Sequence, residues 1–120
     1  NTLWAAAGYT TGTLDSSTFD TGISGGAQIN SIFWRGSLPA DTSVDFQLAV
    51  SNSSSGPWSY KGPDGTSNTY YTPSAANTSI AVDYVFHNNY RYFRYRVRLV
   101  SNPAQTETPR IDDVIINWSP

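Results

Sequence analysis

The chain has 120 residues, of which 13% are charged and 14% aromatic, and its formal net charge is −2 at pH 7. This length is that of one domain with its own hydrophobic core. A single lysine and an acidic balance argue against the basic footprint of nucleic-acid-binding proteins, and the lack of cysteine excludes disulfides and thiolate sites. A surface rich in Ser, Thr, Asn and Gly instead indicates an exported protein.

The N-terminal residues 1–12 are expected to form an extension or edge strand ahead of a single β-sandwich domain over residues 13–120. Leu3 and Trp4 precede a run of small residues. This segment is therefore expected to fray, to tether the domain, or to add as a strand to the sheet edge of a neighbouring subunit. No apolar run reaches the length of a membrane helix, so we expect no membrane contact by this chain.

Short β-type runs, separated by clusters of Gly, Pro, Asn, Asp and Ser, are typical of an all-β protein. The strongest alternation runs from Phe93 to Leu99, where apolar side chains take one face and Arg94, Arg96 and Arg98 take the other. We therefore predict an all-β fold, a two-sheet antiparallel β-sandwich of seven to eight strands, jelly-roll or immunoglobulin-like. The predicted strands are Thr13–Asp20, Gln28–Arg35, Ser43–Ser51, Thr69–Thr72, Ile80–Phe86, Tyr90–Ser101 and Ile111–Trp118.

The three arginines of the alternating strand have two interpretations. The ordinary one is pairing with Asp or other polar side chains on neighbouring strands. The alternative is a strip that binds phosphate or sulfate, which needs a basic field that a net negative chain does not supply. We expect cross-strand pairing.

No complete catalytic set is present in the sequence. Gly22–Gly26 matches the Gly-x-Ser-x-Gly nucleophile pattern around Ser24, but the chain is too small for the strand–elbow–helix fold which that mechanism needs. We predict a glycine turn there. His87 is the only histidine and is expected to be exposed in the turn His87–Asn89. We therefore expect no enzyme activity.

A structural calcium ion is the one cofactor that the sequence suggests. Asp20, Asp112 and Asp113 would supply oxygen ligands if the first and last strands were neighbours. The alternative is ordinary turn chemistry at strand ends. Asp112 and Asp113 are adjacent on a strand and face opposite ways, so they do not form a catalytic carboxylate pair by themselves.

The segment Pro57–Thr72 is the most suggestive surface, because Pro63–Gly65 predicts a turn that folds its aromatic side chains towards one another. Aromatic rings beside short polar side chains are typical of a glycan site. The alternative is that the rings plug an end of the sandwich. Trp34 and Trp118 lie on apolar strand faces and are assigned to the core. The candidate glycan contacts are Trp58, Tyr60, Asp64, Tyr70 and Tyr71.

Several motifs of the chain follow one another in a recognisable order. They are Ser17–Gly22, Phe33–Gly36 with Leu38–Ala40, Tyr92–Val97 and Pro109–Val114. In these motifs the chain resembles the β-sandwich modules of exported bacterial surface proteins. Some of those modules follow a prepilin-like helix, and others accompany glycan-active domains. The resemblance implies a β-sandwich without catalytic residues.

The expected function is that of a non-catalytic extracellular module of a bacterial cell-surface or pilus- or filament-like protein, acting in adhesion or as a structural subunit. The alternative is a carbohydrate-binding module of a secreted glycan-active protein. The expected partners are a glycan or neighbouring protein subunits, in a homo-oligomer or filament, rather than nucleic acid. The expected location is extracellular or at the cell surface.

Overall fold

A computed structural model of the chain describes residues 3–4 and 11–120, with only the backbone described at Leu3 and Trp4. The predicted all-β fold is confirmed: in this part of the chain, nine strands form two antiparallel sheets stacked as a β-sandwich. The strands are β1 (Leu3–Trp4), β2 (Thr11–Asp15), β3 (Phe19–Asp20), β4 (Ala27–Ser37), β5 (Ser43–Ser51), β6 (Ser79–Ala81), β7 (Asn88–Tyr90), β8 (Tyr92–Val100) and β9 (Arg110–Ser119).

The first sheet has the order β1-β9-β4-β6, and β7 also pairs with β4. Its centre is the long antiparallel pair β4–β9, which runs from Gln28 opposite Ser119 to Ser37 opposite Arg110. The register shifts next to Gly36, which has a φ of 153°. A Cβ built there would overlap the carbonyl of Arg110, so only glycine fits this close approach of the two strands.

The second sheet is built around β8, as expected for a long alternating strand near the C-terminus. β5 pairs along the whole length of β8, and β2 and β3 pair with its opposite edge. Single bridges at Lys61 and Tyr71 attach the segment after β5 to the free edge of β5. This segment is the one that carries the candidate glycan residues.

The core lies between the facing surfaces of the two sheets. Its largest fully buried side chains include Trp34, Phe46, Leu48 and Leu99. Each such side chain contributes about 1.5–3 kcal/mol when it leaves water. The assignment of Trp34 to the core is confirmed. The assignment of Trp118 is wrong: its side chain is 36% exposed, because its strand borders an open side of the sandwich.

Strand boundaries differ from the prediction where the chain is short of apolar residues. The predicted strand over residues 13–20 is two strands, β2 and β3, interrupted between Ser16 and Thr18. The predicted strand over residues 80–86 is β6 followed by a 3₁₀ turn at Tyr84–Phe86. Residues 69–72 contribute only the bridge at Tyr71.

The first ten residues are described only at Leu3–Trp4, which pair with Ile111 and Arg110 of β9. The remainder of the predicted extension over residues 1–12, up to Thr10, lies outside the described residues. Within the described part, no helix has the length and hydropathy needed to cross a membrane.

Candidate functional site

Three arginines project from β8 onto the outer face of the second sheet, and each lies over an aromatic ring of the segment after β5. The guanidinium carbon is 4.7 Å from the ring centre of Trp58 for Arg94, and 4.0 Å from that of Tyr60 for Arg96. Arg98 lies 3.9 Å from the ring centre of Tyr70. We call these three stacked pairs the arginine–aromatic row.

On the other side, the same guanidinium groups bind side chains of the sheet. Arg96 Nε donates to Asp15 at 2.6 Å and Arg98 Nε donates to Asp45 at 3.0 Å. Arg94 Nε donates to the hydroxyl of Thr18 at 2.8 Å. The predicted cross-strand pairing is therefore confirmed. The hydrogen bond that Arg96 donates to Asp15 also raises the pKa of Arg96, which stays charged.

The segment after β5 is fixed against the sheet by buried polar contacts. The side-chain amide of Gln47 donates to the carbonyl oxygens of Ser67 and Thr69 at 3.0 and 2.9 Å. The hydroxyl of Thr72 donates to Asp45 at 2.9 Å. Gln47 and Asp45 point outward from β5 yet are buried, because this segment covers them. The ring positions in the row are thus set by the sheet itself.

Asp64 lies in the predicted turn. Its Oδ1 accepts hydrogen bonds from the hydroxyls of Thr69 and Thr66 at 2.6 and 2.7 Å, and from the backbone N–H of Thr66. These bonds, led by the one from Thr69, lower the pKa of Asp64. The carboxylate therefore holds the turn together, and it is exposed.

Tyr71 does not belong to the surface set. It is 2% exposed, and its hydroxyl oxygen accepts the backbone N–H of Asp83 at 3.1 Å. Strand alternation explains why Tyr71 is buried. Tyr71 bridges to Phe46, a core residue, so its ring points inward, whereas the ring of the preceding Tyr70 points outward. Burial raises the pKa of Tyr71 to about 12.

His87 is also in the interior, and the expectation of an exposed turn residue is wrong. The 3₁₀ turn at Tyr84–Phe86 directs the His87 ring inward, where it is 1% exposed and its Nε2 lies 3.0 Å from the hydroxyl of Tyr71. Burial lowers its pKa to about 4.

Ser24 lies on an exposed turn closed by a hydrogen bond from the Gly26 N–H to the Ile23 carbonyl, as predicted for the glycine-rich motif.

The three candidate calcium ligands lie on different sheets. Asp20 is on β3 of the second sheet, whereas Asp112 and Asp113 are on β9 of the first. Both carboxylate oxygens of Asp20 accept from Arg91, at 2.8 and 2.9 Å, and this lowers the pKa of Asp20. Among the residues with described side chains, no three His, Cys, Asp or Glu are grouped to hold a metal ion.

A second surface feature is an open seam between the sheets, on the side where β9 faces β2 and β3. Leu14 and Phe19 point to the interior, since they pair with the buried residues Val97 and Phe93 of β8. Nevertheless they are 44% and 41% exposed. The ring of Phe19 stacks on those of Phe93 and Tyr95, with ring centres 5.1 and 6.3 Å apart.

The seam contains a cavity of about 480 Å³. Its apolar walls are Leu14, Phe19, Tyr95, Val97, Ile111 and Val114, and Asp112 and Asp113 are among its other lining residues. The sequence pattern did not predict this cavity. The available signal was a pair of isolated large apolar residues, Leu14 and Phe19, in an otherwise polar stretch.

The arginine–aromatic row presents flat rings beside short polar side chains, which suits the apolar faces and hydroxyl groups of a ligand. The seam offers an apolar slot beside a sheet edge, which suits an extended chain. No family profile matches this chain, and a search of curated proteins finds no relative.

Proposed function

We propose that this chain is a non-catalytic extracellular module of a bacterial cell-surface protein, acting in adhesion or as a structural subunit of a pilus- or filament-like assembly. The observation that carries the proposal is the open seam, where the inward-facing Leu14 and Phe19 stay 44% and 41% exposed. A contiguous exposed apolar patch beside a sheet edge marks a protein–protein contact. A weakly charged, hydroxyl-rich surface suits an exported protein.

The ion pairs of three aspartates and the burial of the single histidine fit a role in contact rather than turnover. The carboxylates of Asp15, Asp20 and Asp45 each bind an arginine. The ring of His87 is buried and, with a pKa of about 4, neutral near pH 7. General acid–base catalysis needs a titratable group within hydrogen-bond reach of substrate.

Surface location is the first test. Antibodies raised against the purified chain should label intact cells of the bacterium that carries the gene, and added protease should remove the label. The protein recovered from the cell surface should sediment as particles larger than the monomer. A cytosolic protein that stays protected from the protease serves as the control. Recovery of the chain from the cytosol alone would overturn the proposal.

Carbohydrate binding is the second candidate function, and the arginine–aromatic row favours it. The stacked pairs at Trp58, Tyr60 and Tyr70 recur at every second residue of β8, about 7 Å apart, so the row spans about 14 Å. That length matches a short oligosaccharide. Arg96 and Arg98 are paired with aspartates, so the aromatic rings are the groups available to stack on sugar faces.

A glycan array tests this second candidate. Tyr60→Ala should weaken binding of any positive glycan about tenfold, the scale of one lost aromatic contact. Tyr84→Ala is the matched control, since Tyr84 is an exposed tyrosine outside the row. If no glycan binds, or if both variants bind as the parent does, the row is structural.

A further inference from the structure

The two sheets do not end together on the seam side. In the second sheet, β2 and β3 lie beyond β8. In the first sheet, only β1 is described beyond β9, and it pairs with Arg110 and Ile111 alone. Among the described residues, no strand pairs with this edge of β9 from Val114 onward. Leu14 and Phe19 are exposed where the described part of the facing sheet has no strand.

The unmatched edge of β9 has the composition of a pairing strand. Val114–Trp118 contains no charged residue and no proline. Natural sheet edges usually carry lysine, proline or a bulge that prevents pairing with other chains. Val114, Ile116 and Trp118 share the inner face of the strand, since their partners on β4 are buried core residues. Those partners are Trp34, Ile32 and Ile29 respectively.

We propose that Val114–Trp118 pairs antiparallel with the same segment of a second copy of the chain, about a two-fold axis at Ile116. The inference rests on the proposed function, a module that works through protein contacts, and names the partner of the seam. In this register Val114 lies opposite the second copy's Trp118, and Ile115 lies opposite its Asn117. Each Trp118 then enters the seam of the other copy.

The seam suits a tryptophan. Its cavity of about 480 Å³ lies beside Val114 and has mostly apolar walls, with Asp112 and Asp113 also among its lining residues. A tryptophan ring that leaves water needs apolar contacts, which these walls supply. Trp118 is 36% exposed in the single chain, on the inner face of an edge strand. The pairing covers this ring and the exposed surface of Leu14 and Phe19 together.

Charge and register select the axis at Ile116. This axis places Asp113 opposite the second copy's Ser119, so that no like charges meet. An axis at Ile115 would put Trp118 opposite Asp112, and an axis at Asn117 would leave Val114 opposite Pro120. The contact involves five residues from each copy. It is smaller than the roughly 800 Å² per partner of stable complexes, so we expect a dissociation constant of about 10–100 µM.

Sedimentation equilibrium of the full chain, from about 1 µM to about 1 mM, tests the association. We expect a monomer–dimer equilibrium that Trp118→Ala weakens at least about tenfold. Tyr84→Ala removes an aromatic ring of similar exposure away from β9 and should leave the equilibrium unchanged. A monomer throughout the range, or equal dissociation constants for the two variants, would overturn the proposal.

Disulfide trapping tests the register without depending on Trp118. The chain has no cysteine, and Ile115 and Asn117 are both exposed on the outer face of β9. The combined variant Ile115→Cys with Asn117→Cys should form disulfide-linked dimers under mild oxidation, because the two positions lie opposite each other across the axis. Either single variant should not.

Association without these crosslinks would overturn the proposal. It would mean that the edge of β9 binds another segment of the second copy, such as its N-terminal residues, or a different partner. The test of self-association can fail independently of the test of the proposed function. Surface labelling of cells together with a monomer in solution would leave the proposed function standing and remove the second copy as the partner.

Discussion

The hydroxyl of Tyr71 lies 3.0 Å from Nε2 of His87 in the interior of the sandwich. Their ring centres are 5.8 Å apart. This contact joins the segment that follows β5 to the residue that precedes β7, two parts of the chain that share no strand pairing with each other. It also places a titratable ring where it is neutral, with a pKa lowered to about 4 by burial.

The stability of the fold should depend on pH through His87. Between its ordinary pKa of 6.5 and about 4, the unfolded chain binds a proton that the folded chain does not. The stabilisation is therefore complete above pH 6.5 and is lost as pH falls towards 4, by about 3 kcal/mol. Urea unfolding across this range measures it. His87→Gln should remove this slope, whereas Tyr71→Phe, which keeps the burial, should retain it. An equal slope in His87→Gln would contradict the assignment.

Two aspartates that bind arginines of the arginine–aromatic row should differ in their contribution to the free energy of unfolding. Asp45 is buried and accepts from Arg98 and Thr72, so Asp45→Asn should lower the free energy of unfolding by about 2–3 kcal/mol. Asp15 is exposed, so Asp15→Asn should cost about 0.5 kcal/mol or less. Urea denaturation compares the two variants. Equal decreases in the free energy of unfolding would show that burial does not make the Asp45–Arg98 pair more important than the Asp15–Arg96 pair.

The stacking of Arg96 on Tyr60 should be measurable as a coupling free energy. A double-mutant cycle with Arg96→Gln and Tyr60→Leu should give about 0.5–1 kcal/mol. Arg35 and Phe33 provide the control cycle, since they are 5.8 Å apart on the outer face of the first sheet and Arg35 is exposed. Their coupling should be smaller. A larger value for the control cycle would mean that ring distance does not govern the interaction.

Neighbouring glycines should tolerate alanine very differently. Gly26 has a φ of 91°, and a Cβ there would overlap the backbone of Asn89. Gly26→Ala should therefore cost about 3 kcal/mol or more. Gly25→Ala meets no atom within 4 Å and should be nearly neutral. Thermal unfolding followed by circular dichroism distinguishes them, and an unchanged melting temperature for Gly26→Ala would refute the argument.

The alternating and apolar runs determined the architecture by themselves. The strands β4, β5, β8 and β9 lie close to where period-two patterns predicted them, because a two-residue repeat commits each side chain to one face. The pairing of Arg96 and Arg98 with aspartates was likewise predictable, since polar faces of adjacent strands must neutralise one another.

The candidate surfaces depended on contacts between distant parts of the chain. Sequence alone left the aromatic side chains of residues 57–72 as one group, and the bridge of Tyr71 to Phe46 separated an inward ring from the outward Tyr60 and Tyr70. The exposure of Trp118 was beyond prediction for a similar reason. Its own strand pattern is that of a core strand, and whether such a face is covered depends on how many strands the sheet has on each side. That number is set by the packing of the whole chain, which no local pattern records.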